Sequence, residues 1–276
     1  MLKRLIARLD DFLYRVILKN LLQLSKLGHG CIVEGAESGV NFEHMYNNVP
    51  EGKLVIGKII DKILLGLKAC QATRIRKDEI KSILWNQVQN NMRQNRKTKV
   101  LDLASGGARY LRELKEEHNA GRMESICIDK DPQCVRLGRE LSEKEGVLNI
   151  RFFRGDLFKL DFLRKFGSKK KWRPDVIIAS GLLIYFNDET SEKILREIHK
   201  ALTDDGVVIF QSYENLDTKK LMRKTLATSK GESWTLYYRK PDFWRSLLSG
   251  IGFRDIFITR DQWHMNNVCS GRKRRL

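Results

Sequence analysis

The sequence predicts an α/β protein with a mostly parallel, doubly wound sheet preceded by a helical extension, and three observations carry that prediction. From Lys99 onward, short apolar runs alternate with helical patterns, the signature of a parallel sheet covered on both faces. The stretch from Lys99 to Leu111, KVLDLASGGARYL, reads as strand, tight small-residue turn and helix. The last two apolar runs, Phe253–Arg260 and Met265–Ser270, are joined by a short turn, which predicts a closing antiparallel hairpin.

Size and charge bound the rest. The 276 residues suit one α/β domain with an appendage, given about 100–200 residues per domain. A net charge of +18 favours polyanions such as RNA, DNA or an anionic lipid surface without choosing among them, and a basic solvated surface reads the same way. Cys31, Cys70, Cys127, Cys134 and Cys269 are odd in number and lack C-x-x-C or Cys/His ligand spacing, so neither a disulfide framework nor a metal site is indicated. No uncharged apolar run is long enough to span a membrane, and Arg8, Asp10, Asp11 and Arg15 break any secretory segment. The expected place is the cytoplasm, with a position at a membrane surface left open.

Residues 2–27 set Leu2, Leu5, Ile6, Leu9, Phe12, Leu13, Val16 and Ile17 at three- and four-residue steps between charges, predicting an amphipathic helix. It can pack on the core or on a second subunit, or lie on an anionic membrane, although Asp10 and Asp11 weigh against the last. From Gly28 to Asn48 the periodicity stops and Gly28, Gly30, Gly35 and Gly39 punctuate the run, predicting a loop or lid. Helices follow near 53–67 and 71–92, and the polar run 91–99 reads as a linker. The division expected is an extension of residues 1–97, a core of 98–272 and a basic tail of 273–276, with the segment from Gly271 frayed. Core strands are expected at 99–103, 123–128, 149–154, 174–180 and 206–212, with helices at 108–119, 132–145, 190–202, 217–227 and 241–250.

Small residues between a strand and a helix let a ligand approach backbone N–H groups at the helix N-terminus, although such turns are also common for steric reasons alone. A dinucleotide fingerprint aligned on Ala104 and Gly106 needs its third glycine at 109, where this chain has Arg109. The pattern instead resembles the first motif of class I S-adenosylmethionine (SAM)-dependent methyltransferases, with Asp102, Ala104, Gly106 and Ala108 at the matching positions and alanine at two of the three usual glycines. That resemblance implies a Rossmann-like, seven-stranded sheet of order 3-2-1-4-5-7-6, with SAM as cofactor. It also implies the site. Asp102, Ala104, Ser105, Gly106, Gly107 and Tyr110 would lie beside SAM; Asp129, followed by Lys130, would accept ribose hydroxyls. Asp156 and Leu157 would meet the adenine, and Ser180 and Gly181 would line the reaction centre. The helix-capping role expected near 132 suits Asp131 better than Asp129.

The resemblance extends beyond the core. MYNNVPEGK at 45–53, then Lys58, Asp61, Lys62, Leu64, Leu65, Ala72, Thr73, Arg74, Arg76 and Lys77, with Gly252, Phe253, Arg260, Asp261 and Trp263, look like a bacterial methyltransferase-domain family. Some members are fused to lysophospholipase-like α/β-hydrolase domains, which hints at a lipid. The similarity covers residues 40–272 and departs at Ala108 and at His264-Met265-Asn266.

Together these features predict a SAM-dependent methyltransferase acting on a small molecule or lipid, with the N-terminal helices as a lid. After the fourth strand the chain reads Ser180-Gly181-Leu182-Leu183-Ile184-Tyr185-Phe186, unlike the Asn/Asp-Pro-Pro-Tyr/Phe loop of enzymes that methylate base amines. RNA stays open as a partner through the basic patches at Lys169, Lys170, Lys171 and Arg173 and at Lys219, Lys220, Arg223 and Lys224; a non-catalytic scaffold also stays open, as does the oligomeric state. A hydroxyl acceptor would need a base, for which Tyr46 and Tyr185 lead Tyr110, Tyr213 and His264. Arg74 and Arg76 either hold a phosphate or carboxylate or form a solvated face.

Overall fold

Five strands run parallel: β1 (Thr98–Leu103), β2 (Met123–Asp129), β3 (Ile150–Arg154), β4 (Val176–Ala179) and β5 (Val207–Tyr213). Two more, β6 (Phe253–Arg260) and β7 (Asn266–Lys273), form an antiparallel hairpin whose β7 pairs with β5. The sheet order is β3-β2-β1-β4-β5-β7-β6, as the motif resemblance implied. The structure, a computed structural model, describes residues 18–118, 121–156, 172–215 and 235–274. Because β2 lies on one side of β1 and β4 on the other, the strand order reverses at β1, opening a crevice beyond the carboxyl ends of β1 and β4.

Strand alternation divides the apolar residues between two faces. Leu101, Leu103, Ile126, Ile128, Ile177 and Phe210 pack with Ile194, Leu195 and Ile198, and with Trp244 and Leu248. Val100, Cys127, Val176, Ile178 and Ile209 pack on the other side with Ile80, Leu84 and Val88, and with Leu111 and Leu114. The helices that supply these residues are, on the first face, Asp188–Ala201 and Pro241–Ile251, and on the second Lys68–Arg93 and Arg109–His118.

In chain order the helices are α1 (Lys19–Leu22), α2 (Lys26–Val33), α3 (Gly39–Asn47), α4 (Leu54–Leu65), α5 (Lys68–Arg93), α6 (Arg109–His118), α7 (Pro132–Lys144), α8 (Asp188–Ala201) and α9 (Pro241–Ile251). The chain divides into two compact units, described residues 18–71 in one and those from 72 onward in the other. The later turns of α5 therefore count with the sheet, a division different from the one composition suggested at 97/98.

Three local expectations are corrected. The glycine-punctuated run 28–48 is not a loop but two helices, α2 and α3, capped by Ser25 and Ser38, whose side chains accept from the Gly28 and Val40 N–H groups. Gly28 and Gly30 serve close packing: a Cβ on Gly28 would lie 2.2 Å from the Leu22 carbonyl oxygen, and one on Gly30 2.1 Å from Asn41 Oδ1. The helix expected over 2–27 does not run through to 27, because α1 stops at Leu22 and α2 starts afresh after Ser25; residues 1–17 lie outside the described residues. The segment from Gly271 is not frayed. Strand β7 continues to Lys273, whose N–H donates to the Gly206 carbonyl at 2.8 Å and whose Nζ donates to that of Leu202 at 3.0 Å. The helix expected at 217–227 and the basic groups at 169–171 and 219–224 lie outside the described residues.

Candidate active site

The crevice is built by the turn after β1. Three of its residues, Ala104, Gly106 and Ala108, hold left-handed backbone with φ of 57°, 53° and 51°. An alanine pays roughly 1–2 kcal/mol for that conformation, so a specific framework must hold it. The Ser105 N–H donates to the Ile128 carbonyl at 3.1 Å, and the Gly106 N–H to Asp129 Oδ2 at 2.9 Å. Beneath the turn, the Tyr110 hydroxyl from the first turn of α6 lies 2.8 Å from both carboxylate oxygens of Asp102. Asp102 is fully buried, and burial pushes its carboxyl well above the usual range, with the nearby Asp129 adding to the rise and the Tyr110 bond opposing it. Asp102 and Tyr110, both expected beside the cofactor, thus meet each other and brace the turn.

Asp129, at the end of β2, joins three strand ends. Its Oδ2 takes the Gly106 N–H, its Oδ1 takes the Asp131 N–H at 2.9 Å, and its own carbonyl takes the Gly155 N–H beyond β3 at 2.9 Å. Its side chain is nearly buried, and burial raises its carboxyl above the usual value against those two backbone bonds. Capping of α7 falls to Asp131, whose Oδ1 accepts from the Gln133 N–H at 2.8 Å, as expected. A carboxylate offers about four acceptor positions, and Asp129 spends one on each oxygen here, leaving capacity for two vicinal hydroxyls. Together with the small buried turn of Ser105, Gly106 and Gly107, this fits the ribose and the methionine end of SAM.

The other site residues stand at the same sheet edge. Lys130 and Asp156 are exposed after β2 and β3; Ser180 and Gly181 are half-buried after β4, and Leu157 lies outside the described residues. Gly181 has φ of 70° with open space where a Cβ would be, so backbone conformation, not crowding, calls for glycine there. The chain then makes a short 3-10 turn at Leu183–Tyr185, and the half-buried Tyr185 packs against the core. Tyr46 is half-buried on α3 in the other unit.

Sequence reasoning missed the residue that secures this turn. Arg239 is buried; its Nε donates to Asp188 Oδ1 at 2.7 Å, its Nη1 to the Leu183 carbonyl at 3.3 Å, and its Nη2 to the Phe186 carbonyl. Its guanidinium lies 5.1–5.4 Å from the ring centroids of Tyr237, Phe243 and Trp244. The available signal was an arginine set among aromatics in Tyr237-Tyr238-Arg239. Arg76 is likewise no solvated face: it is buried, with Nη1 3.5 Å from Gln211 Oε1 on β5. Asp261 ties the β6–β7 turn by accepting the N–H groups of Trp263, Met265 and Asn266. A cavity of about 290 Å³ lies at the opposite edge of the sheet, among Asn91, Arg96, Asp175 and Arg272, away from these residues.

Comparison with known proteins bears on the same chain. The family described as "Putative methyltransferase" matches residues 4–273. Uncharacterized protein YnbC of Escherichia coli (strain K12) is 25% identical over 244 residues, 87% of this chain but 41% of that protein, so the chain spans less than half of this curated relative. A solved structure described as a possible exported protein from Bordetella parapertussis superposes with a TM-score of 0.71 at 18% identity, covering 93% of this chain and 86% of that one. Magnesium protoporphyrin IX methyltransferase from Synechocystis PCC 6803, with SAH bound, superposes with a TM-score of 0.56 at 12% identity, covering 85% and 94%. At these identities the structural likeness is one of fold. No helix among the described residues is long and apolar enough to cross a membrane.

Proposed function

The chain belongs to this methyltransferase family, and from that premise we propose that it transfers the methyl group of SAM to a small-molecule or lipid acceptor. The observation that carries the reading is Asp129, a carboxylate fixed by two backbone N–H groups at the junction of three strand ends, with acceptor capacity to spare. It binds the ribose hydroxyls, while Ser105, Gly106 and Gly107 let the backbone lie against the ligand and Asp156, exposed after β3, meets the adenine amine. When bound, SAM supplies a methyl group on a sulfonium sulfur, a donor already activated for in-line displacement. The segment from Ser180 to Tyr185 positions the acceptor. A hydroxyl acceptor must lose its proton, and Tyr185 is the group this segment offers to take it, as the phenolate that becomes a phenol; an amine arriving unprotonated needs no base. The same segment favours acceptors other than base amines, since it carries Ser180-Gly181 in place of an Asn/Asp-Pro-Pro loop.

Calorimetric titration with SAM and S-adenosylhomocysteine tests the reading. Saturable binding to the wild type, lost in Asp129→Ala with thermal unfolding still cooperative, supports it; labelled methyl transfer to lipid, metabolite and RNA panels then ranks acceptors. A folded wild type that binds neither ligand overturns it.

A further inference from the structure

Helix α4 is turned inside out. The positions it buries are Gly57, Asp61 and Leu65. Asp61 is fully buried and accepts four hydrogen bonds: Ser25 Oγ at 2.6 Å and the Leu27 N–H at 2.9 Å on one oxygen, His44 Nε2 at 2.8 Å and the Glu51 N–H at 2.8 Å on the other. Gly57 lies so close to a neighbouring turn that a Cβ there would sit 2.4 Å from the Leu24 carbonyl oxygen. These contacts fix the rotation of the helix about its axis.

The side left facing outward is therefore decided, and it is apolar. Val55, Ile59 and Ile63, one helical row at four-residue steps, are 75%, 54% and 61% exposed, flanked by Leu54 at 78% and Ile56 at 49%. Lys53, Lys58, Lys62 and Lys68 are exposed along the same stretch, and the one acid between Lys53 and Lys68 is the buried Asp61. An ordinary surface helix shows the reverse pattern, with its polar side outward.

We infer that this face of α4 docks on an anionic lipid bilayer, with Val55, Ile59 and Ile63 entering the interface and the lysines meeting headgroup phosphates. Contiguous exposed apolar surface marks an interaction site, and the charges choose among partners. A second copy placed face to face would set lysines against lysines, whereas an anionic surface complements them, in a chain of net charge +18. The inference is separate from the expectation for residues 2–27 and does not rest on methyl transfer.

Co-sedimentation of the full chain with vesicles of phosphatidylcholine and phosphatidylglycerol, against phosphatidylcholine alone, tests it. Binding to the anionic vesicles that weakens with added salt is expected. Lys58→Gln/Lys62→Gln should lower that affinity about thirtyfold, from about 1 kcal/mol per lysine near the surface, and Ile59→Ser/Ile63→Ser should abolish it. All four side chains are exposed, so unchanged melting temperatures are expected, and the lysine pair stays informative if the isoleucine pair misfolds. No binding by the wild type, or binding by both variants equal to the wild type's, overturns the inference. So does a concentration-dependent dimer, lost in Ile59→Ser/Ile63→Ser, in a protein that ignores the vesicles.

Discussion

The Tyr110 hydroxyl lies 2.8 Å from both oxygens of the fully buried Asp102, tying the central strand to the first turn of the helix that follows it. Tyr110→Phe would leave that carboxyl without this donor in a dry site. We expect a loss of about 1–3 kcal/mol in urea unfolding and weaker SAM binding as the turn above loosens. Asp102→Asn keeps an acceptor for the hydroxyl and should cost less; the reverse ranking would show that Tyr110 matters by packing alone.

Ala104 and Ala108 sit where the turn needs left-handed backbone. Replacing either by glycine relieves about 1–2 kcal/mol of steric cost against about 0.4–1 kcal/mol of added unfolded-state freedom. Ala108→Gly should therefore be neutral to about 1.5 kcal/mol stabilising, read as a small rise in melting temperature. Ala108→Val, adding a branched side chain at that conformation and buried position, should destabilise clearly.

Lys115 is buried on α6, and its Nζ has no hydrogen-bond partner among the described residues. Burial lowers its ammonium to about 8, with weaker opposing effects of Cys127 and Glu124. Between about pH 8 and the ordinary lysine value the unfolded chain binds more protons than the folded one, so stability rises with pH through that window. Lys115→Met should add about 1–2 kcal/mol at neutral pH and flatten the rise, measured by denaturant unfolding from pH 7 to pH 10.

Arg239 holds the Leu183 and Phe186 carbonyls while its guanidinium lies against three aromatic rings. Lysine cannot reproduce that planar fork. Arg239→Lys should leave SAM affinity within about twofold, because Asp129 and the first turn are untouched, and lower methyl transfer roughly tenfold or more through misplacement of the segment from Ser180. Equal losses in both measurements would mean that Arg239 supports the fold as a whole.

The sheet was legible because strands buried on both faces write themselves as near-continuous apolar runs, VLDL, ICID, VIIA and VVIF, separated by helical patterns. Their order was legible only through the motif around Asp102, since apolar runs carry no record of their neighbours. The cap of α7 was assignable to Asp131 in advance because a cap stands directly before the helix, a position that Asp129, two residues earlier, does not hold. The N-terminal half was harder. Composition does not distinguish a glycine that makes a turn from one that lets two segments touch, and Gly28 and Gly30 are of the second kind. Periodicity in α4 likewise located an apolar stripe without saying which way it faces; a single aspartate with four donors settled that. Arg239 acts through backbone carbonyls more than fifty positions earlier in the chain, and no local pattern announces such a reach.

Strand β7 follows every other strand in sequence yet sits inside the sheet, paired to β5 along seven residues and to β6 on its other side. During synthesis, β5 must therefore wait with a bare edge until residues 266–273 are there to pair with it. The nascent chain has a vulnerable interval, when β5 could recruit a strand from another polypeptide. A chain stopped short of Asn266 would keep that edge bare, and only the arrival of β7 beside β5 closes it.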